Sequence, residues 1–260
     1  MKHILDISSE ELEKMSGTQR INGYLYSKED IIAIQNKIKD IINNIPKIRD
    51  INNKEKEIFS YVYTYLSKTI AYDYETSDLM DIARSGYERE MISNRVEDDC
   101  GLKGLITGKT MCKGYSNILK EILYYLGIDC KVISATGSYG GHAWNQVFLD
   151  GKWYNCDLTN DYDFILSGLR CRFFLKSDDN FDRYEKYPKL KTAKVDCNES
   201  VSDEEQEKLL NHAYEYVSQL IDIKEEYVTE NHNKENNFIK NLKNYINCKI
   251  GHLKKAGITK

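Results

Sequence analysis

The sequence predicts an α+β domain, with an antiparallel sheet of about four strands packed against the helix that follows Cys112 and more helices at both ends. Three observations predict it. Apolar residues recur at helical spacing near both termini and again just after Cys112. Four short apolar segments cluster between residues 130 and 177. Two of them are joined by Asp150-Gly151, a dipeptide that favours a two-residue hairpin turn. The chain has 260 residues, 41% hydrophobic and 30% charged. That length supports one core domain with extensions and needs no disulfide staples.

The elements follow in order. SKEDIIAIQNKIKDIINNIP carries Ile31, Ile34, Ile38, Ile41, Ile42 and Ile45 on a helical repeat. Ser27 is placed to cap this helix and Pro46 to stop it. A second helix runs over about 53–70, with Ile58, Val62, Tyr65 and Leu66 as its stripe. Residues 76–109 mix charge with Gly86, Gly101 and Gly104 and read as loop with one helix. SNILKEILYYL, residues 116–126, is apolar at helical spacing, and Gly127 supplies a left-handed stop. The strand segments are CKVISAT, HAWNQVFL, KWYNCDLT and CRFFLKS. Ser202 and Glu205 then make a capping-box pattern before Leu209, Ala213, Val217, Leu220 and Ile221. A turn near 231–235 precedes a last helix with Phe238, Leu242, Tyr245 and Ile246. The implied division is an N-terminal helical extension over 1–52, a core over 53–194 and a C-terminal helical pair over 195–260.

Composition narrows the function. A net charge of −4 argues against a nucleic-acid partner, because phosphate binding wants a basic footprint. Mean hydropathy is −0.61, and no apolar run of about 18 residues exists, so no membrane span is expected. The opening MKHILDISSEELEKM places acidic residues where a secretion signal needs an apolar stretch, so a cytoplasmic location is expected. Seven cysteines without a CxxC pair resemble neither a disulfide framework nor a zinc site. Asp157, Asp161 and Asp163 lack the spacing of a calcium loop. No metal or cofactor is expected.

One cysteine stands apart. Cys112 immediately precedes the periodic helix, where unpaired N–H groups and the positive helix end favour a thiolate. The bland alternative is a buried structural cysteine. Its partners come from the hairpin. A two-residue turn pairs Leu149 with Lys152 and sets Trp144 opposite Asp157. Side chains alternate faces, so His142, Trp144 and Asp157 share one face. His142 and Asp157 become diagonal neighbours about 7–8 Å apart. The other face carries Ala143, Val147, Leu149, Tyr154, Cys156 and Leu158 as core. Thiol, imidazole and carboxylate in this order make the set that thiol-dependent acyl transfer requires.

These residues resemble the transglutaminase-like domains of the papain-like cysteine protease superfamily. The matching pieces are Cys112-Lys113-Gly114-Tyr115-Ser116 with its helix, Gly141-His142-Ala143-Trp144-Asn145, Asp150-Gly151-Lys152-Trp153-Tyr154, Asp157-Leu158-Thr159 and Phe173-Phe174-Leu175. Upstream, YVYTYLSKTIAYDYE resembles the helix and Tyr-bearing segment before such a core. The resemblance implies a papain-like/transglutaminase-like core in which Cys112 is nucleophile, His142 general base and acid, and Asp157 the orienting residue. Tyr115 and Trp144 are expected to shape the substrate groove. Two positions depart from the family pattern: Thr110 where Gly often stands, and Asn160 where Trp often follows the Asp-x-Thr segment.

The expected activity is acyl transfer from a protein or peptide amide through a thioester, most simply hydrolysis by a cysteine protease or amidase. Protein-glutamine transglutaminase or deamidase activity uses the same intermediate. A non-catalytic binding module on the same fold is the remaining alternative, and the terminal helices are candidate partner-binding or groove-covering elements. General-base work by His142 implies activity lost at low pH, as the ring is held protonated.

Overall fold

The computed structural model describes residues 2–46, 54–83, 85–138, 140–168 and 170–221. Residues 1–217 form one compact unit, and 218–260 a second. The turn at 231–235 and the helix expected around Phe238 lie outside the described residues. Helices run in the order α1 (Ser9–Glu13), α2 (Lys28–Asn43), α3 (Lys54–Thr69), α4 (Tyr74–Ile82), α5 (Gly86–Cys100), α6 (Gly104–Thr107), α7 (Cys112–Tyr125), α8 (Leu158–Leu166), α9 (Arg183–Lys186) and α10 (Asp203–Leu220). The strands are β1 (Gln19–Ile21), β2 (Tyr24–Tyr26), β3 (Ala71–Tyr72), β4 (Lys109–Thr110), β5 (Cys130–Gly137), β6 (Gly140–Leu149), β7 (Lys152–Cys156) and β8 (Lys189–Leu190).

The main sheet is antiparallel, in the order β7-β6-β5-β8. The hairpin has the expected register, with Leu149 opposite Lys152 and Asn145 opposite Cys156. Asp150 and Gly151 both take positive φ, 49° and 83°, as a tight mirror-type turn demands. Helix α7 packs on β5 and β6 and buries Ile118, Leu119, Ile122 and Leu123. Asn145 Nδ2 donates to the Ser116 carbonyl at 3.0 Å, tying sheet to helix. The architecture is the expected α+β one.

Several elements differ from the expectation. Residues 76–109 contain α4, α5, α6 and β4, where mostly loop was expected. Helix α5 is polar nearly all round and buries only Asp99, so no apolar stripe announces it. It is held instead by a Ser85–Glu88 capping box and by Arg95, which pairs with Glu75 at 2.7 Å and Asp73 at 3.3 Å. Two small sheets, antiparallel β1-β2 and parallel β3-β4, are also additional.

CRFFLKS is not the fourth strand. Its one ladder contact is Asn155 opposite Lys176. Asp161 takes the backbone N–H groups of Arg172 (2.9 Å) and Phe173 (3.1 Å), and Leu175 sits at φ 48°. Both features break a continuous ladder. The fourth position goes to β8, whose two residues are exposed and carry no alternation to read.

The expected strand KWYNCDLT ends at Cys156, and Asp157 caps α8 by accepting the Asn160 N–H. The face of the hairpin that carries His142 and Trp144 is not open either. Phe173, Phe181, Tyr184 and Tyr187 pack over it, so the sheet is buried on both sides.

At the N-terminus, α2 spends its stripe inside the unit: Ile31, Ile34, Ile38 and Ile41 are fully buried. Ile4 N–H donates to Glu121 of α7 at 2.7 Å, and Gln35 Nε2 donates to the carbonyls of Ile4 and Ile7. These contacts clamp the leading segment onto the Cys112 helix.

Gly114 shows how closely that helix is approached. A Cβ there would overlap Thr110 Oγ1 and the Asp99 carbonyl. Gly114→Ala should therefore destabilise the protein by about 1–3 kcal/mol, as overpacking does. Urea unfolding would show a lowered midpoint, and an unchanged midpoint would contradict the close approach.

Candidate active site

The segment that delivers Cys112 is fixed before the helix begins. Strand β3 pairs in parallel with β4, Tyr72 facing Thr110, and Asp73 N–H donates to the Thr110 carbonyl at 2.9 Å. The Asp99 carbonyl then accepts from Thr110 Oγ1 at 2.7 Å and from Met111 N–H at 3.2 Å. Thr110 is fully buried with its hydroxyl occupied, so this departure from the family pattern is an anchor. Met111 is the N-cap of α7 and supplies no capping side chain. The first-turn N–H groups therefore stand beside Cys112 with no intrahelical acceptor. Cys112 itself is half-buried.

From the sheet, β6 contributes His142. Its Nε2–H donates to Asp157 Oδ2 at 2.8 Å. The Cys112 side chain adds to the electrostatic environment of the imidazole. Burial works against a charged ring, but the Asp157 carboxylate, its hydrogen bond and Cys112 outweigh it and raise His142 to about 10. This alters the expected pH behaviour: the ring is protonated through the neutral range. Burial, the first cause in each case, pushes the other five described cysteines upward, to about 12 for Cys100, Cys130 and Cys197 and further for Cys156 and Cys171. They are thiols with little nucleophilic character.

The structure thus brings Cys112, His142 and Asp157 together, and it does not bring Tyr115 or Trp144 to a groove. Tyr115 is fully buried and donates to the Ile70 carbonyl at 2.6 Å. Trp144 is 1% exposed and wedged among Phe181, Tyr184 and Tyr187. Both are core aromatics, which corrects the expectation: the closed second face of the sheet buries Trp144, and packing against Ile70 and Tyr162 buries Tyr115.

Three further residues complete the site. Asp157 is fully buried, and a lone carboxylate there would be costly. Its Oδ2 accepts from Asn160 Nδ2 at 2.7 Å and lies 3.1 Å from Arg183 Nε. Arg183 is itself buried, its guanidinium 3.9 Å from the Phe173 ring centre. Asn160, the second departure, serves the carboxylate directly. Tyr187 stacks on the imidazole, ring centres 5.0 Å apart. Gly137 permits this, because a Cβ there would overlap the Lys186 carbonyl. Arg183 and Tyr187 lie in a polar stretch with no periodicity, and only the burial of Asp157 signals that a counter-charge must exist.

The sequence profile of the transglutaminase-like superfamily matches residues 45–158, which include Cys112, His142 and Asp157. This stretch of the chain is similar to transglutaminase-like domains. Among curated relatives, kyphoscoliosis peptidase of Mus musculus is 26% identical over 148 residues, covering 52% of this chain and 20% of the relative. Kyphoscoliosis peptidase of Homo sapiens is 34% identical over 67 residues, 21% of this chain and 10% of the relative. The chain thus spans a fifth or less of these relatives. A crystal structure of a TGase aligns with TM-score 0.42 at 20% identity, over 76% of this chain and 52% of that one.

The raised His142 links protonation to stability. Its contribution is fully present below its ordinary value of roughly 6.5 and lost as pH rises through about 10. Arg183 competes with the ring for Asp157, so Arg183→Met should let His142 keep its proton to higher pH. Urea unfolding across that range should show stability falling with rising pH, flattened by His142→Gln and displaced to higher pH by Arg183→Met. A slope that ignores both variants would contradict the ion pair.

Proposed function

We propose that the domain is a thiol-dependent acyl-transfer enzyme that hydrolyses protein or peptide amides, a cysteine protease or amidase. The observation that carries this reading is the buried Asp157–His142 pair at 2.8 Å, interacting with a cysteine at the start of a helix. The names of both curated relatives include the word peptidase, which favours water as the final acceptor. Six described cysteines are unpaired, which suits the cytoplasm.

In this mechanism His142 holds the proton given up by Cys112. The sulfur attacks the amide carbon, and the developing oxyanion meets the Cys112 backbone N–H at the positive end of α7. The imidazolium protonates the leaving amine as the C–N bond breaks, leaving a thioester. The neutral ring then takes a proton from water, which attacks the thioester. The acid is released, and the proton returns to the ring–sulfur pair. Asp157 stays ionised and orients the ring throughout.

Cys112→Ala should abolish turnover, and Asp157→Asn should lower it by roughly the 10⁴-fold seen when a triad loses its orienting carboxylate. Mass spectrometry of proteins incubated with the enzyme separates the outcomes. Chain cleavage is expected. A gain of about one dalton would instead assign deamidation, and loss of ammonia with crosslinking a transglutaminase, because the same thioester then meets another donor or acceptor. Full turnover by Cys112→Ala would overturn the mechanism, and an inert wild type would favour a binding module.

The acid step also fixes the alkaline side of the profile. Turnover should decline as pH rises toward about 10, where His142 loses its proton. Turnover that keeps rising through that range would remove His142 as the acid.

A further inference from the structure

Loop residues 170–176 and the start of α10 enclose a cavity of about 450 Å³. Arg170, Arg172, Phe173, Lys176, Asp182 and Asp203 contribute to its lining. Two carboxylates face three cations, and both carboxylates are already engaged. Asp203 pairs with Arg170, and Asp182 pairs with Lys186 at 2.9 Å and approaches Arg183 at 3.7 Å. Among the described residues no ion pair reaches Arg172 or Lys176.

Lys176 makes the imbalance informative. It is 8% exposed, yet among the described residues its ammonium meets only Gln206 Oε1, at 3.4 Å. An ammonium taken out of water needs a counter-charge or several good acceptors, and here it has one long bond. Burial, with Arg170 adding repulsion, pulls its proton affinity below the ordinary value. The cavity wall also includes Asp203, the first residue of the 18-residue α10. An exposed guanidinium and a buried ammonium converge on one space.

We propose that this cavity binds an oxyanion of the phosphate class, with Arg172 and Lys176 as its charged ligands. Two unpaired cations match the charge of a phosphate dianion better than that of a single carboxylate. The guanidinium fork suits two of its oxygens and the Lys176 ammonium a third. The space exceeds a bare ion, so the phosphoryl group can be free or carried on a larger molecule. The site is independent of the acyl-transfer reading and needs no turnover to be tested.

Titration calorimetry with inorganic phosphate and with O-phosphoserine, at matched ionic strength in chloride, tests it on the full chain. Saturable binding is expected, weakened at least tenfold by Arg172→Ala and by Lys176→Met and unchanged by Lys189→Ala at the edge strand. Tighter phosphoserine binding assigns a carried phosphoryl group, and tighter phosphate binding the free ion. Repeating the titration in buffers of different ionisation enthalpy should reveal proton uptake that Lys176→Met removes. Arg172 is exposed, so its variant stays informative if the buried substitution unfolds the protein. No saturable binding, or binding that survives Arg172→Ala, would overturn the proposal.

Discussion

The buried carboxylate of Asp157 organises this molecule. It is fully buried, and one oxygen serves the imidazole of His142, the amide of Asn160 and the guanidinium of Arg183. Each neighbour arrives from a different element: β6, the first turn of α8, and α9. A negative charge in such a place persists only when surrounded by donors, so the three elements are held by one electrostatic requirement. Removing a partner leaves a buried charge uncompensated, which costs far more than the pair contributes to folding. The same requirement sets the charge of the ring. His142 holds its proton because Asp157 is beside it, and Arg183 moderates that hold by taking a share of the same oxygen.

On the other side of the site, the constraint is one of approach. The helix that presents Cys112 begins against the backbone of Asp99, with Gly114 leaving space that any side chain would fill. Thr110 turns its hydroxyl inward to the same carbonyl that receives Met111 N–H. The sulfur is thus placed by backbone contacts and the ring by charge.

Much of this was legible in the sequence, for physical reasons that can be named. Asp150-Gly151 fixed the hairpin register through its turn preference, and period-two alternation then brought His142 and Asp157 together. The Ser27 cap and the isoleucine repeat gave α2. What stayed hidden depends on tertiary contacts. Helix α5 carries no apolar stripe because its buried contacts are ionic, centred on Arg95. CRFFLKS has the composition of a strand, but Asp161 withdraws its N–H groups from any ladder. Tyr115 and Trp144 read as groove residues because period alone reveals neither that segment 173–187 closes the face over Trp144 nor that Ile70 and Tyr162 enclose Tyr115. Arg183 was invisible for the same reason, since its role exists only once Asp157 is buried.

The Asp157 carboxylate is expected to keep the imidazole of His142 charged at neutral pH. Nuclear magnetic resonance of the ring, with the His142 signal assigned by substitution, measures that state directly. The prediction is a doubly protonated ring through neutrality that titrates near 10 and falls back toward the free value in Asp157→Asn. A ring already neutral in the native protein at neutral pH, indifferent to Asp157→Asn, would contradict it.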